Sequence, residues 1–131
     1  MKKIIKTDTE WKEILTEEEF LITRKKQTEA PFKNNKFIDK KKGIFKCKCC
    51  DADLFDSTSK YDSGSGWPSF YKKINSEVII ELKDNSFGMN RIEVLCSRCD
   101  SHLGHLFNDG PLPTGQRYCI NALSLKFIES E

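Results

Sequence analysis

The sequence Cys47-Lys48-Cys49-Cys50 has two residues between its outer cysteines, and Cys96-Ser97-Arg98-Cys99 repeats that spacing later in the chain. A cysteine pair with this spacing forms a tight turn that directs both sulfurs to one metal ion. Two such pairs supply the four ligands of a tetrahedral zinc site, which we assign to Cys47, Cys50, Cys96 and Cys99. Four thiolates leave no open coordination position, so we expect one structural Zn²⁺ per chain. The metal would hold two distant stretches of the fold together.

Composition restricts the classes of protein to which the chain can belong. Its 131 residues suit one domain, which we place at residues 1–131. The net charge of +2 argues against a nucleic acid or a membrane surface as partner. No apolar run is long enough for a signal peptide or a membrane span, so we expect a cytoplasmic protein. We also expect it to be a monomer. In the cytoplasm, six cysteines indicate metal binding or catalysis, with disulfides or unpaired buried thiols as the alternative.

Sequence patterns predict a mainly β fold with short helices at the N-terminal end. The run Thr16-Glu17-Glu18-Glu19 has the residues of a capping box, and an earlier helix is expected within residues 7–15 with Asp8 as its N-cap. Residues 27–42 are polar and predict a surface connection. Four strands are predicted from β-branched and aromatic residues with partial alternation; they are residues 44–48, 78–83, 91–96 and 118–128.

Cys49 and Cys119 remain once the four metal ligands are subtracted. In a strand, Arg117, Cys119 and Asn121 share one face. A positive neighbour such as Arg117 favours the thiolate, which is the nucleophilic form of cysteine, and the amide of Asn121 can orient a polar substrate group. The alternative is that Cys119 is one more buried core residue. We predict that it is a nucleophile.

His102, His105 and Trp67 could complete a site around that nucleophile. The two histidines follow the second cysteine pair, and either could donate a proton to a reacting oxygen or serve only as a hydrogen-bonded structural residue. Trp67 lies between Gly66 and Pro68, which holds its ring in a rigid loop. The ring could fill the core or form the wall of an apolar substrate pocket.

Several segments, in this order along the chain, resemble the B-type methionine sulfoxide reductases, which act on the R epimer. The segments are Thr23-Arg24, Thr28-Glu29-Ala30-Pro31-Phe32, Phe45-Lys46-Cys47, Tyr61-Asp62-Ser63-Gly64-Ser65-Gly66-Trp67-Pro68-Ser69-Phe70, residues 96–107, and Arg117-Tyr118-Cys119-Ile120-Asn121. The resemblance implies two antiparallel sheets with short N-terminal helices. It also implies a substrate that is free or peptide-bound methionine-R-sulfoxide, including oxidised proteins.

The resemblance implies roles for particular residues. Cys119 would attack the sulfoxide sulfur, and the Trp67 ring would cage the methyl group, with Phe107 as a second substrate-binding residue. The other positions that match the family's active site are His102, His105, Asp109, Arg117 and Asn121. The histidines and Asn121 would lie near the sulfoxide oxygen, and we expect His105 to protonate or anchor it.

One position departs from the family pattern. The implied reaction leaves Cys119 as a sulfenic acid. In many family members a second cysteine, in the loop before Gly-Trp-Pro, converts it to a disulfide that thioredoxin reduces. That position is Ser65 here. We therefore expect direct reduction by thioredoxin or a small thiol, with Cys49 as the alternative resolving cysteine.

Two other functions remain open at this point. A zinc-ribbon module could bind nucleic acid or protein without catalysis, although the near-neutral charge and the Arg117, Cys119 and Asn121 set argue against it. The fold could also bind methionine sulfoxide without efficient turnover, with Ser65 as the lesion. The retained Cys119 argues against that second possibility.

Overall fold

The computed structural model describes residues 3–33, 37 and 41–130, and within them two helices precede nine strands. The helices are α1 (Asp8–Ile14) and α2 (Glu17–Lys25). The strands are β1 (Gly43–Cys47), β2 (Asp53–Asp56), β3 (Lys60–Tyr61), β4 (Ser69–Phe70), β5 (Ile79–Asp84), β6 (Arg91–Cys96), β7 (His102–Phe107), β8 (Arg117–Ile120) and β9 (Leu125–Glu129). Neither of these helices is long and apolar enough to cross a membrane.

Both helices begin with a capping box. The hydroxyl of Thr16 accepts from the N–H of Glu19, whose carboxylate accepts from the N–H of Thr16, as the sequence predicted. In α1 the same arrangement joins Thr7 and Glu10. The predicted N-cap Asp8 is therefore wrong, because the Thr7 hydroxyl takes that role and Asp8 is the first helical residue.

The helices pack against the second cysteine pair. Trp11 of α1 is buried, and the guanidinium of Arg24 in α2 lies 4.4 Å from the centroid of its ring. The same guanidinium donates to the carbonyl oxygen of Cys99 at 2.7 Å. Arg24 therefore links both helices to the backbone of a predicted metal ligand.

The strands form two antiparallel sheets, which confirms the predicted fold class. The small sheet has the order β2-β1-β9, and the large sheet has the order β3-β4-β8-β7-β6-β5. Aromatic rings from both sheets meet in the core. Phe55 of β2 stacks on Phe70 of β4 at a centroid distance of 4.3 Å, and Phe45 of β1 meets Phe70 edge-on at 5.0 Å.

The predicted strands agree with the structure to within one residue at three places, where β1, β5 and β6 form. The fourth prediction, a single strand over residues 118–128, is wrong. A 3₁₀ turn at Ala122–Ser124 separates β8 from β9, and the chain crosses there from the large sheet to the small one. In the predicted connection 27–42, residues 34–36 and 38–40 lie outside the described part of the chain.

Strands β7 and β8 approach each other closely at Gly104. A Cβ added to Gly104 would lie 1.9 Å from the carbonyl oxygen of Cys119 and 3.0 Å from the Cα of Ile120. Both are backbone atoms of a central strand and cannot move without disturbing the ladder. Glycine is therefore needed at this position for its small size.

We expect Gly104→Ala to lower the free energy of unfolding by about 3 kcal/mol, because the added methyl overlaps fixed backbone. Gly64→Ala is the matched control, since a Cβ there meets nothing within 4 Å and only its φ of +77° is unfavourable. That control should cost about 1 kcal/mol. Urea denaturation measures both, and equal losses would contradict the close approach of the two strands.

Candidate active site

The four predicted metal ligands meet at one point. The sulfurs of Cys47, Cys50, Cys96 and Cys99 all lie within 4.8 Å of one another, and the closest pairs are 3.6 Å apart. Tetrahedral zinc with Zn–S bonds of about 2.3 Å needs sulfurs about 3.8 Å apart. The cluster therefore fits a structural metal. All six cysteines are free of disulfides, which removes the disulfide alternative.

Each cysteine pair forms the turn of a hairpin, between β1 and β2 or between β6 and β7. The residue after each pair is an aspartate in the left-handed region, Asp51 at φ 65° and Asp100 at φ 63°. Its N–H donates to the carbonyl oxygen of the first cysteine, Cys47 or Cys96, at 3.0 and 2.8 Å. Aspartate tolerates this conformation better than most residues do. The repeated Cys-x-x-Cys-Asp pattern is the sequence signal for these turns.

Cys119 lies at the centre of the large sheet. In β8 it is directly opposite Ser69 of β4 on one side and His105 of β7 on the other. Its sulfur is 3.0 Å from Nη1 of Arg117, 3.4 Å from the hydroxyl oxygen of Ser65 and 3.9 Å from that of Ser69. With 8% of its surface exposed, this thiol is buried among hydrogen-bond donors.

Arg117 is held in place from two further directions. Its Nε and Nη2 donate to the two carboxylate oxygens of Asp109 at 2.7 and 3.0 Å, and its guanidinium lies 4.3 Å from the ring centroid of Phe107. The bonds from Arg117 hold the pKa of Asp109 below its ordinary value, and Asp109 in turn raises the pKa of Arg117. A fixed positive charge therefore lies beside the Cys119 sulfur. In this structure Phe107 supports the guanidinium.

A β-bulge brings His102 and His105 together. Residues three apart point to opposite faces of a regular strand. Val94 of β6 pairs with Gly104 of β7. The next residue of β6, Leu95, pairs with His102, so β7 advances by two residues where β6 advances by one. This extra residue reverses the alternation, and the two imidazole rings lie 5.6 Å apart.

Each histidine is paired with a carboxylate that the sequence analysis missed. Nδ1 of His102 is 2.8 Å from Glu93 of β6, and Nε2 of His105 is 2.7 Å from Asp84 of β5. Burial lowers the pKa of His102, against the effect of Glu93. Glu93 could have been noticed, because a carboxylate between Ile92 and Val94 interrupts an apolar strand. Asp84 carried no such signal, because it directly follows the predicted strand 78–83, where a polar turn residue is expected.

Asn121 and Trp67 are both anchored on Glu29. The side-chain oxygen of Asn121 accepts from the N–H of Glu29 at 3.1 Å, and its amide donates to the carbonyl oxygen of Leu103 at 3.1 Å. The indole N–H of Trp67 donates to the carbonyl oxygen of Glu29 at 2.9 Å. The carboxylate of Glu29 accepts from the N–H of Leu123 at 3.0 Å. Buried Glu29 therefore links the Trp67 loop to the chain that follows β8.

An open groove lies beside two of the residues that contact the Cys119 sulfur. It has a volume of about 530 Å³, and its wall includes Tyr61, Ser65, Asp109, Pro111 and Arg117. Ser65 and Arg117 are also contacts of the Cys119 sulfur. Burial raises the pKa of Tyr61, so this wall residue is a neutral phenol.

Ser65 is next to Cys119. It stands at the loop position where many members of the resembled family have a resolving cysteine. Cys49 lies elsewhere, in the hairpin turn of the small sheet beside Cys47 and Cys50. Within the described residues, the hydrogen-bonding neighbours of the Cys119 sulfur are Ser65, Ser69 and Arg117. The structure therefore brings Ser65, and not Cys49, against the candidate nucleophile.

Comparison with known proteins identifies the family. The SelR domain matches residues 15–129, which include both cysteine pairs and Cys119. The chain belongs to the SelR family. A relative from Methanosarcina mazei, named peptide methionine sulfoxide reductase MsrB, is 54% identical over 98% of this chain and 92% of its own length. Relatives of the same name from Pseudomonas aeruginosa and Hahella chejuensis are 54% and 52% identical over the whole of this chain, covering 99% and 94% of their own lengths.

SelR membership confirms the resemblance to the B-type methionine sulfoxide reductases. Together with these relatives it identifies the protein as a methionine sulfoxide reductase, which is an oxidoreductase, and the SelR match covers both sheets and not only the metal cluster. A zinc-ribbon module without catalysis is therefore disfavoured.

Asn121→Ala tests whether the Asn121 amide has the structural role described above. We expect the free energy of unfolding to fall by about 2 kcal/mol, because the buried N–H of Glu29 loses its partner, while the carbonyl of Leu103 keeps the bond from the backbone N–H of residue 121. The control is Asn75→Ala, where an exposed asparagine caps a surface turn, and we expect a loss below about 1 kcal/mol. Unchanged stability in urea together with lost sulfoxide reduction would mean that Asn121 acts on the substrate instead.

Proposed function

We propose that this SelR protein reduces free or peptide-bound methionine-R-sulfoxide to methionine, with Cys119 as the nucleophile. The observation that carries the proposal is the 3.0 Å contact between the Cys119 sulfur and a guanidinium fixed by Asp109. A guanidinium at this distance stabilises negative charge on the sulfur, and the thiolate is the form of cysteine that attacks. The name of the M. mazei and P. aeruginosa relatives agrees with a sulfoxide substrate.

The proposed reaction transfers one oxygen atom. The Cys119 thiolate attacks the sulfoxide sulfur, and the sulfoxide oxygen takes up one proton. The oxygen then passes to the Cys119 sulfur as two bonds break, the one between oxygen and the substrate sulfur and the sulfur–sulfur bond formed by the attack, and methionine leaves. The substrate sulfur gains two electrons and the Cys119 sulfur loses two, so the enzyme is left with a sulfenic acid.

The surrounding residues have separate tasks in this proposal. Arg117, aligned by Asp109 and Phe107, favours the Cys119 thiolate. Trp67 forms the apolar cage for the substrate methyl group, and Phe107 is its proposed companion on the substrate side. His105 is directly opposite Cys119 in the neighbouring strand, and the His102 ring lies beside the His105 ring. In this proposal the sulfoxide oxygen is protonated from the side of these two histidines. Asn121 acts through Glu29 by holding the segment that positions Trp67.

Recycling is proposed to proceed without a disulfide inside the protein. Ser65 has no thiol, although its hydroxyl lies 3.4 Å from the sulfur that would be oxidised. A thiol of thioredoxin or of a small molecule would attack the sulfenic acid and release water. A second thiol would then attack the mixed disulfide and restore Cys119. The position of Cys49 in the other sheet makes it the less favoured resolving residue.

We also propose that the metal is Zn²⁺ and that it is structural. The four-thiolate set suits zinc and leaves no position for substrate, so the reaction does not involve the metal. We propose further that the chain is one methionine-R-sulfoxide reductase domain that acts as a monomer in the cytoplasm. Six free cysteines are consistent with such a reducing compartment.

Single-turnover chemistry tests the proposed reaction. Wild-type protein without reductant should convert one methionine-R-sulfoxide peptide per chain and gain a sulfenic acid that a dimedone probe traps on Cys119. Cys119→Ser should form no methionine, and Cys49→Ser should behave as wild type. Mass spectrometry and a thiol count follow each reaction, with the S epimer as the negative control. A Cys49–Cys119 disulfide would reverse the recycling proposal, and no product from metal-loaded wild type would refute the enzyme proposal.

A second experiment tests the metal. Cys96→Ser should lose the bound zinc and lower Tm by on the order of 10 °C or more, because the ion joins two hairpin turns. Cys49→Ser is the matched control, because Cys49 lies in the other cysteine turn, between the proposed ligands Cys47 and Cys50, and it should keep both its zinc and its Tm. Metal analysis by plasma mass spectrometry and a thermal melt give the two readings. Equal zinc loss from both variants would show that the ligands have been assigned wrongly.

A further inference from the structure

Asp84 is the most heavily bonded carboxylate at the edge of the proposed site. One oxygen accepts from the N–H of Ser86 at 3.0 Å and from its hydroxyl at 2.6 Å. The other lies 2.7 Å from Nε2 of His105 and accepts from Nη2 of Arg91 at 3.2 Å. The Ser86 hydroxyl and the His105 ring hold the pKa of Asp84 well below its ordinary value. The carboxylate is therefore ionised and acts only as an acceptor.

An ionised partner fixes the tautomer of the neutral His105 ring. Because Asp84 only accepts, the proton of a neutral His105 ring must lie on Nε2, which leaves Nδ1 as the atom that can exchange a proton with a substrate. The ring is on the strand position directly opposite Cys119. A carboxylate that orients an imidazole and stabilises its charged form is a recurring arrangement in acid–base catalysis.

The other charged groups around His105 are already paired. Glu93 of β6 is opposite His105 in the ladder, but its carboxylate contacts His102 at 2.8 Å and Lys26 at 3.3 Å. His102 lies on the same strand and is more deeply buried, with 3% of its surface exposed against 9% for His105. Cys119 of β8 faces the ring from the other side, and Arg91 reaches it only through Asp84. Asp84 is thus the direct carboxylate partner of His105.

We propose that Asp84 is a positioning residue for sulfoxide reduction, which orients His105 and stabilises its imidazolium so that Nδ1 delivers the proton to the sulfoxide oxygen. This inference rests on the function proposed above. The proton is the one consumed in the oxygen transfer, and the neutral ring regains it from solvent after methionine leaves. Asp84 itself contacts neither substrate nor the Cys119 sulfur and acts through His105.

Asp84→Asn tests the inference by kinetics, with Glu81→Gln as the matched control. Glu81 is on the same strand, is exposed and pairs with Lys73 at 3.2 Å. We expect Asp84→Asn to slow the single-turnover rate on the order of tenfold, to move the alkaline limb of the pH–rate profile to lower pH, and to leave substrate affinity unchanged. Glu81→Gln should match wild type. A slower rate with an unchanged pH profile would overturn the inference.

A double-mutant cycle separates action through His105 from a general structural effect. In a His105→Ala background, Asp84→Asn should change the rate by less than about twofold, because the group that it positions is gone. Full additivity of the two losses would overturn the inference. Each variant is first checked for bound metal and for an unchanged thermal melt, and Asp84→Glu provides a variant that retains the charge if the asparagine form is unstable.

Nitrogen-15 chemical shifts of the His105 ring provide a test that does not need turnover. In wild type at alkaline pH we expect the proton on Nε2, and in Asp84→Asn we expect a mixture of tautomers, because an amide can donate as well as accept. A proton on Nδ1 in wild type overturns the role of Asp84 even if the enzyme is active. A wild type that reduces no sulfoxide refutes the proposed function instead, so the two failures are distinguishable.

Discussion

The contact among four cysteine sulfurs joins the end of β1 in the small sheet to the end of β6 in the large one. Each pair is also the turn of a hairpin, so the cluster fixes how β2 returns from β1 and how β7 returns from β6. The second turn matters most for chemistry. It sets the starting register of β7, the strand that carries both histidines, and Arg24 ties the helical layer to the same turn.

The reactive side of the molecule follows from the position of β8 within the large sheet. Its neighbours β4 and β7 bring Ser69 and His105 to either side of Cys119, and Gly104 lets β7 lie close enough for that contact. In this region a carboxylate binds each of two side chains that lie near Cys119. Asp109 holds Arg117, and Asp84 holds His105. Each carboxylate thus holds a residue near the sulfur in place without touching the sulfur itself.

The sequence predicts correctly those features that depend only on residues close together in the chain. The Thr16 capping box, the strand at Arg91–Cys96 and the paired cysteines all rely on short spacing, and the structure agrees with each. Strand β7 was not predicted, because its glycine and histidines do not show the β-branched and aromatic alternation of a strand. It forms because it pairs with β6 on one side and β8 on the other. Asp84 and Glu93 were missed because only the sheet register and the bulge bring them to the histidines. The 3₁₀ turn after β8 was hidden because apolar residues continue through it.

The anchoring of Trp67 on Glu29 has a consequence for how the protein is made. Glu29 and Asn121 are separated by 92 positions, and β1 must wait for β9 as its partner. A nascent chain that has exposed its first hundred residues contains the tryptophan loop and both cysteine pairs. It still lacks Asn121, which binds Glu29, and β9, which pairs with β1. Contacts of such long range slow folding. Activity should thus appear only after residues 117–129 have been synthesised, and until then the edges of β1 and β7 lack their partners β9 and β8 and are open to chaperones.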